Sequence, residues 1–267
     1  MLSNYHTHTC FCDGKCTPEE VVLAAIDGGL FSLGFSGHGY TDFDLRYCMK
    51  DTDGYIREIK RLKEKYRDKI EIYLGTEEDA HQPVARRQDY DYILGSSHYA
   101  CVGGVYYPID SGVDYFEKCM SAYGGNALAF AEDYYSFFCD YINARRPDII
   151  GHFDLITKFE DVTDRRFFNN PEYLKMAKKY TEQALKSGCI FEVNTGAISR
   201  GYRSTPYPHE ELLYVIKKAD GRVMLNSDSH RADTLTTGFD DARAMLKDIG
   251  FKSTYAIQNG VFTAFAL

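Results

Sequence analysis

The chain has 267 residues, 44% of them hydrophobic and 26% charged, with a formal net charge of -8 and no basic run. That balance excludes broad contact with nucleic-acid phosphates, which takes clustered Lys and Arg, and no apolar stretch approaches the roughly 20 residues that cross a bilayer. The opening MLSNYHTH lacks the basic start and apolar segment of a secretory leader, so a cytoplasmic protein is expected, and its eight cysteines are read as reduced thiols.

In chain order, a strand over 2–6 ends at His6 and His8, beside Cys10, Cys12, Asp13 and Cys16 in "YHTHTCFCDGKCT". Thr17-Pro18-Glu19-Glu20 combines an N-cap, a proline at the first helical position and a capping-box glutamate, and Gly28-Gly29 stops the helix. A strand over 31–37 leads into His38, and Ile56, Ile59, Leu62 and Tyr66 share one face of a helix near 52–68. Strands over 70–76 and 91–96 precede Glu77, Glu78 and His98. The Gly- and Tyr-rich segment 99–127 is weakly periodic, and an irregular functional insertion is expected there. A strand over 148–152 carries His152, and a helix opens at Asn170-Pro171 and stops at Gly188. A strand over 189–194 holds Glu192 and Asn194, a helix runs from Pro208 to Gly221, and a strand over 222–227 precedes Asp228 and His230. Seven strand–helix units without a linker or close repeat predict an α/β fold, a parallel barrel in one domain over 1–267.

In such a barrel the strand C-termini converge on one face, where active sites are built. The residues gathered there would be His6, His8, Asp13, His38, Glu77, His98, His152, Asp228 and His230. A catalytic zinc takes about three protein ligands, so nine would saturate two ions or suit three. Imidazole with carboxylate suits zinc, iron or manganese. "CFCDGKC" lacks the C-x-x-C spacing of thiolate sites, so Cys12 is expected to pack beside the cluster and Asp13 to supply the oxygen.

"YHTHTCFCDG", "GFSGH", "LGTEED", "GSSHY", "IIGHFD" and "NSDSH" resemble, in order and over nearly the whole length, the motifs of the PHP (polymerase and histidinol phosphatase) family. The resemblance implies a distorted, TIM-like (β/α)7 barrel holding three divalent ions. One would lie on His6, His8, Glu77 and Asp228, a second on Glu77, His98 and His152, and a third on Asp13, His38 and His230, with Glu77 rather than Glu78 as the bridge. Gly37 stands where many relatives carry an aspartate, which removes a partner for His38. "GSSHY" leading into "VYYPID", "GHFDLITKF", and "EVNTGAISRGYR" before "TPYP" are most like the monofunctional histidinol-phosphate phosphatases, and imply hydrolysis of L-histidinol phosphate to L-histidinol and phosphate.

The expected chemistry is in-line attack on a small phosphate monoester by a metal-bridging hydroxide. No cysteine is expected to begin the phosphate-cradling C-x5-R loop of a cysteine phosphatase. Glu77, Asp228 and His230 are the catalytic candidates, the last two as possible proton donors to the leaving group. Arg200 is the first candidate for a phosphate clamp, with Arg203 and Lys158 next. Glu192 and Asn194 either support the ligands or fill the barrel, His81 belongs to a loop or the substrate pocket, and His209 is expected to be exposed at a helix start. Tyr106 and Tyr107 could stack on a heteroaromatic substrate. Two alternatives stand beside this reading: a phosphoesterase for nucleotides or oligonucleotides, disfavoured by the low basic charge, and a non-catalytic metal-binding accessory protein, disfavoured by retention of all nine ligands. The expected partner is a small phosphorylated substrate, with no nucleic acid and no membrane.

Overall fold

The computed structural model of the protein describes residues 1–267. Its strands are β1 (Ser3–Asn4), β2 (Ser32–Phe35), β3 (Glu71–Asp79), β4 (Tyr92–Ser96), β5 (Tyr99–Val102), β6 (Val105–Pro108), β7 (Ile149–Ile150), β8 (Ile190–Asn194), β9 (Val223–Asn226), β10 (Ser253–Gln258) and β11 (Val261–Ala266). The longer helices are α1 (Pro18–Asp27), α2 (Thr52–Lys65), α3 (Val113–Ala122), α4 (Ala127–Arg145), α5 (Pro171–Leu185), α6 (Gly196–Ser199), α7 (Glu210–Lys218) and α8 (Phe239–Ile249). Seven strands pair in parallel in the order β1-β2-β3-β4-β7-β8-β9, the expected (β/α)7 arrangement. No helix is long and apolar enough to cross a membrane.

The sheet closes between its first and last strands through a parallel bridge of Thr7 with Ser229. There the His8 N–H donates to Ser229 O at 2.8 Å and the Ser229 N–H to His6 O at 3.0 Å. Below this bridge, side chains replace ladder bonds, which explains why β1 is only two residues long. Asn226 Oδ1 accepts from the Tyr5 N–H at 2.8 Å, and Asn4 Nδ2 donates to Ser227 Oγ at 2.7 Å.

α1 begins as its sequence dictates. The Glu20 N–H donates to Thr17 Oγ1 at 3.3 Å and the Thr17 N–H to the Glu20 carboxylate at 2.7 Å, so two otherwise orphaned donors are satisfied. α2 buries Tyr55, Ile56, Ile59 and Leu62 on the strip that its spacing predicts. β3 differs from expectation by running on to Asp79, so Glu77 and Glu78 lie inside a strand and point to opposite faces. Glu77 faces the barrel axis, whereas Glu78 accepts from Tyr141 Oη at 2.6 Å and Arg145 Nε at 2.9 Å on α4.

The segment 99–127 is ordered, contrary to the expected irregular insertion. β5 and β6 form an antiparallel hairpin whose two-residue turn is Gly103-Gly104, with φ of 60° and 82°, and α3 follows. Positive φ at both turn residues matches the twist of the strands, and glycine reaches it without steric cost. Helices α4 and α8 and the hairpin β10–β11 are not anticipated by the sequence pattern. α4 buries Phe130, Ala131, Tyr134, Tyr135, Phe138, Cys139, Tyr141 and Ile142 on one side, a stripe that relies on tyrosines.

The lower half of the barrel interior is filled by Tyr5, Tyr73, Tyr92, Leu94 and Met224, with Ile257 of the C-terminal hairpin packed against them. Tyr92 crosses the interior above Gly75, its register partner on β3. Its hydroxyl donates to Tyr5 O at 2.6 Å and lies 3.1 Å from Phe35 O. A Cβ on Gly75 would sit 2.3 Å from Tyr92 Cζ, so only glycine leaves room for the ring. This floor leaves the polar residues to occupy the upper, C-terminal end.

Candidate metal centre

All nine candidate ligands meet at that end. His6 and His8 flank the closing bridge on one side, and Asp228 and His230 flank it on the other. Asp228 has a φ of 48°, a left-handed conformation that aspartate tolerates better than most residues. Glu77 divides its two oxygens between two groups of imidazoles. Oε2 lies 3.2 Å from His6 Nε2, 3.4 Å from His8 Nε2 and 3.0 Å from His38 Nδ1. Oε1 lies 3.2 Å from His98 Nε2 and 3.0 Å from His152 Nε2. Asp228 Oδ1 is 3.5 Å from His6 Nε2 and 3.3 Å from His8 Nε2. Toward solvent, Asp13 lies 3.1 Å from His230 Nε2 and 3.7 Å from His38 Nε2.

Charge and burial oppose each other at these groups, His8 excepted. Burial presses the His6 imidazole toward neutrality, but Glu192, Glu77 and Asp228 outweigh it, and its pKa stands well above the ordinary value. His38 and His98 are raised in the same way, burial being overcome by Glu77 together with Asp13 for His38 and Asp79 for His98. His8 lies between His230 and His38, and burial with their charge drives it down to about 3. Burial also disfavours ionised Glu77, Asp228 and Asp13, yet the imidazoles hold all three below the usual carboxylate range, with Arg200 the first contributor at Asp228.

His6 Nε2, His8 Nε2, Glu77 Oε2 and Asp13 Oδ1 are buried without a hydrogen-bond partner. An unpaired buried polar atom costs about 1–3 kcal/mol, and several converging on one space fit a site shaped for cations. Their nitrogen and oxygen donors suit zinc, iron or manganese. Cys12 Sγ lies 3.6 Å from His8 Nδ1. Burial and the nearby Asp13 push its pKa up to about 12, so it packs beside the cluster as a neutral thiol. Gly37 leaves no space for an aspartate, since a Cβ there would meet Met49 Cε at 2.9 Å and Cys12 Sγ at 3.3 Å.

A cavity of about 270 Å³ opens over the cluster, lined also by Tyr47, Tyr99, Asp110, Ser111, Lys158, Arg200 and Tyr202. Arg200 donates from Nη2 to Asp228 Oδ2 at 2.8 Å and from Nη1 to Asp228 O at 3.1 Å. The contact depends on Gly196, where a Cβ would stand 2.8 Å from Arg200 Nη2. Lys158 Nζ donates to Asp110 O at 2.7 Å and lies 3.2 Å from its carboxylate.

Arg203, expected at the substrate, is instead buried away from the cavity. Its guanidinium packs 4.5 Å from the Tyr207 ring centre and donates to Thr157 Oγ1 at 2.6 Å, a structural prop rather than a free clamp. Tyr106 stacks on Phe43, and neither it nor Tyr107 lines the cavity. His81 stacks on Phe137 outside the cavity, and His209 caps α7 with its ring against Phe168. Cys139 and Arg145 do have the C-x5-R spacing, contrary to the expectation that no cysteine does. Both lie in helix α4, with Cys139 buried and Arg145 bonded to Glu78, so they form no phosphate cradle.

A family profile described as the PHP domain matches residues 4–196. The chain belongs to the PHP family. The PHP match contains every candidate ligand except Asp228 and His230, which the barrel closure brings to the others. A Schizosaccharomyces pombe protein named "Probable histidinol-phosphatase" is 28% identical over 284 residues, covering 97% of this chain and 90% of that one. A Deinococcus radiodurans protein of the same name is 27% identical over 264 residues, covering 93% and 94%. The solved structure of Lactococcus lactis histidinol phosphate phosphatase, complexed with zinc, L-histidinol and phosphate, has 21% identity and a TM-score of 0.74 over 98% of each chain. That likeness shows the shared PHP barrel. Residues that sequence alone did not single out are Asp79, which backs His98, and Asp110, Ser111, Tyr47, Tyr99 and Tyr202 around the cavity. They carry no ligand-like spacing, and Asp110 lies in the segment read as irregular.

Proposed function

We propose that the protein is a metal-dependent phosphatase that hydrolyses L-histidinol phosphate to L-histidinol and phosphate. The observation that carries the reading is the division of the Glu77 oxygens between separate imidazole groups, in a chain whose PHP relatives bear the histidinol-phosphatase name. His6, His8, Glu77 and Asp228 would hold one ion, Glu77, His98 and His152 a second, and Asp13, His38 and His230 a third. Divalent ions so held supply positive charge to phosphoryl oxygens and activate water.

The protein's own groups supply binding. Arg200, aimed by Asp228 and by the absent side chain of Gly196, offers a planar guanidinium to phosphate oxygens. Lys158 adds a second positive charge within the cavity. His230, with Nε2 3.1 Å from Asp13 and its ring part-exposed to the cavity, belongs to the third ion's set, which leaves that nitrogen no proton to give to the departing alkoxide. The reading also takes residues 1–267 as one domain, working in the cytoplasm on a small substrate without nucleic acid or membrane.

The test is phosphate release, with metal analysis of the same sample, from histidinol phosphate, nucleoside monophosphates, a dinucleotide and p-nitrophenyl phosphate. Preference for histidinol phosphate and loss of turnover on metal removal are expected. Preference for the dinucleotide would overturn the substrate assignment, and full activity without metal would overturn the mechanism.

A further inference from the structure

The imidazoles of the cluster are not backed alike: His6 and His98 have a carboxylate behind the ring, while His152, whose Nδ1 has no partner, is held by Glu192 only through its backbone N–H. His6 presents Nε2 to the cluster and donates from Nδ1 to Glu192 at 2.7 Å. Glu192 is itself immobilised, accepting from the His152 N–H at 2.8 Å, Asn194 Nδ2 at 2.9 Å and Asn226 Nδ2 at 3.0 Å. His98 likewise has Nδ1 3.2 Å from Asp79, which also accepts from the His98 N–H at 3.1 Å and the His81 N–H at 2.8 Å. A carboxylate behind an imidazole fixes its tautomer and orientation and makes its other nitrogen a better donor to a metal.

His230 is supported more weakly, the Asp228 carboxylate standing 3.5 Å from its Nδ1. Its Nδ1 faces Asp228 O at 3.1 Å, an oxygen it shares with the Arg200 guanidinium, whose Nη1 is only 3.4 Å from the ring nitrogen. The carboxylate nearest His38 Nδ1 is Glu77, already committed to the imidazoles on its other sides. Exposure follows the same division. Side chains of His6, Glu77, His152 and His98 are 0–7% exposed, against 10% for His38, 24% for His230 and 32% for Asp13.

We propose that the centre holds its ions unequally. Glu192 and Asp79 are positioning residues that lock the inner ligands around Glu77 onto two slowly exchanging ions, while Asp13, His38 and His230 hold a third that exchanges readily with solvent. The inference rests on the metal-dependent reading above and extends it to the order in which ions leave.

The experiment mixes zinc-loaded protein with excess chelator carrying a zinc-sensitive dye and follows release over time. One equivalent is expected in a fast phase and two in a slow phase. Asp79→Asn and Glu192→Gln should speed the slow phase about 10- to 100-fold and leave the fast phase unchanged. His230→Asn should abolish the fast phase and retain the two slow equivalents. Circular dichroism checks that each variant is folded, and the wild-type phases together with the isosteric Asp79→Asn suffice if Glu192→Gln is not. Three equivalents leaving in a single phase, or Asp79→Asn leaving the slow phase unchanged, would overturn the unequal hold while sparing the phosphatase reading. Failure to bind zinc at all would overturn that reading, and the unequal hold with it.

Discussion

Gly75→Ala should unsettle the platform on which the metal ligands stand. The new Cβ would lie 2.3 Å from Tyr92 Cζ and 2.5 and 2.6 Å from the two Cε atoms, where ordinary contact begins near 3.4 Å. The ring must therefore move by about 1 Å, and Gly34 and Tyr5 close the space on its far side. Overpacking of this kind costs about 1–3 kcal/mol, and disturbing the Tyr92 hydroxyl's bond to Tyr5 O adds about 1 kcal/mol. The smaller entropy of an unfolded alanine chain returns less than about 1 kcal/mol. A net loss of roughly 3 kcal/mol, with an unfolding entropy of about 2.1 cal/mol/K per residue over 267 residues, lowers Tm by about 5 °C. Thermal unfolding followed by circular dichroism measures it. Tyr92→Leu in the Gly75→Ala background should recover part of the loss, although alone it destabilises. A Tm within about 1 °C of wild type for Gly75→Ala would refute the account of the barrel floor.

Glu77→Gln turns an N–H2 toward one of the two imidazole groups. Bound metal and turnover should fall together, turnover by at least about 100-fold (roughly 2.7 kcal/mol), and a variant keeping full metal content and rate would contradict the bridging role. Cys12→Ser should spare both, and the wild-type thiol, held protonated by a pKa of about 12, should resist iodoacetamide at pH 8; loss of metal in Cys12→Ser would make it a ligand after all. Arg200→Ala should raise KM for the phosphate ester at least about tenfold with little change in Tm, whereas Arg203→Ala should lower Tm with little change in KM; the opposite pattern would exchange their roles. Metal uptake should weaken as pH falls from 8 to 6. The raised pKa values of His6, His38 and His98 mean that protons remain bound in the metal-free protein where free imidazoles would have shed them, and each must leave before its nitrogen can serve a metal. Calorimetry in buffers of different ionisation heat should register that proton release, and pH-independent affinity with none released would refute it.

The site was more legible in the sequence than the scaffold around it. Metal-binding chemistry draws on a few residue types, and their recurrence after short β-type runs is enough to put His6, His38, His98, His152 and Asp228 at one rim. Glu192 was visible only as a candidate, because whether a strand residue touches a ligand or fills space depends on neighbours from other strands, here His6 and Asn226. Arg203 illustrates the reverse. A charge in a loop rich in small residues reads as free, but Tyr207 and Phe168 cover it. α4 escaped although its buried residues recur at helical spacing, because that stripe depends on Tyr134, Tyr135 and Tyr141, whose hydroxyls blur the apolar signal.

The closing bridge lies between His6 and His8 on one edge and between Asp228 and His230 on the other. The seam of the barrel and the jaws of its reactive centre are thus one piece of chain. Anything gripped by those four side chains also buttons the first strand to the last, so catalytic competence and an intact hoop should be gained and lost together.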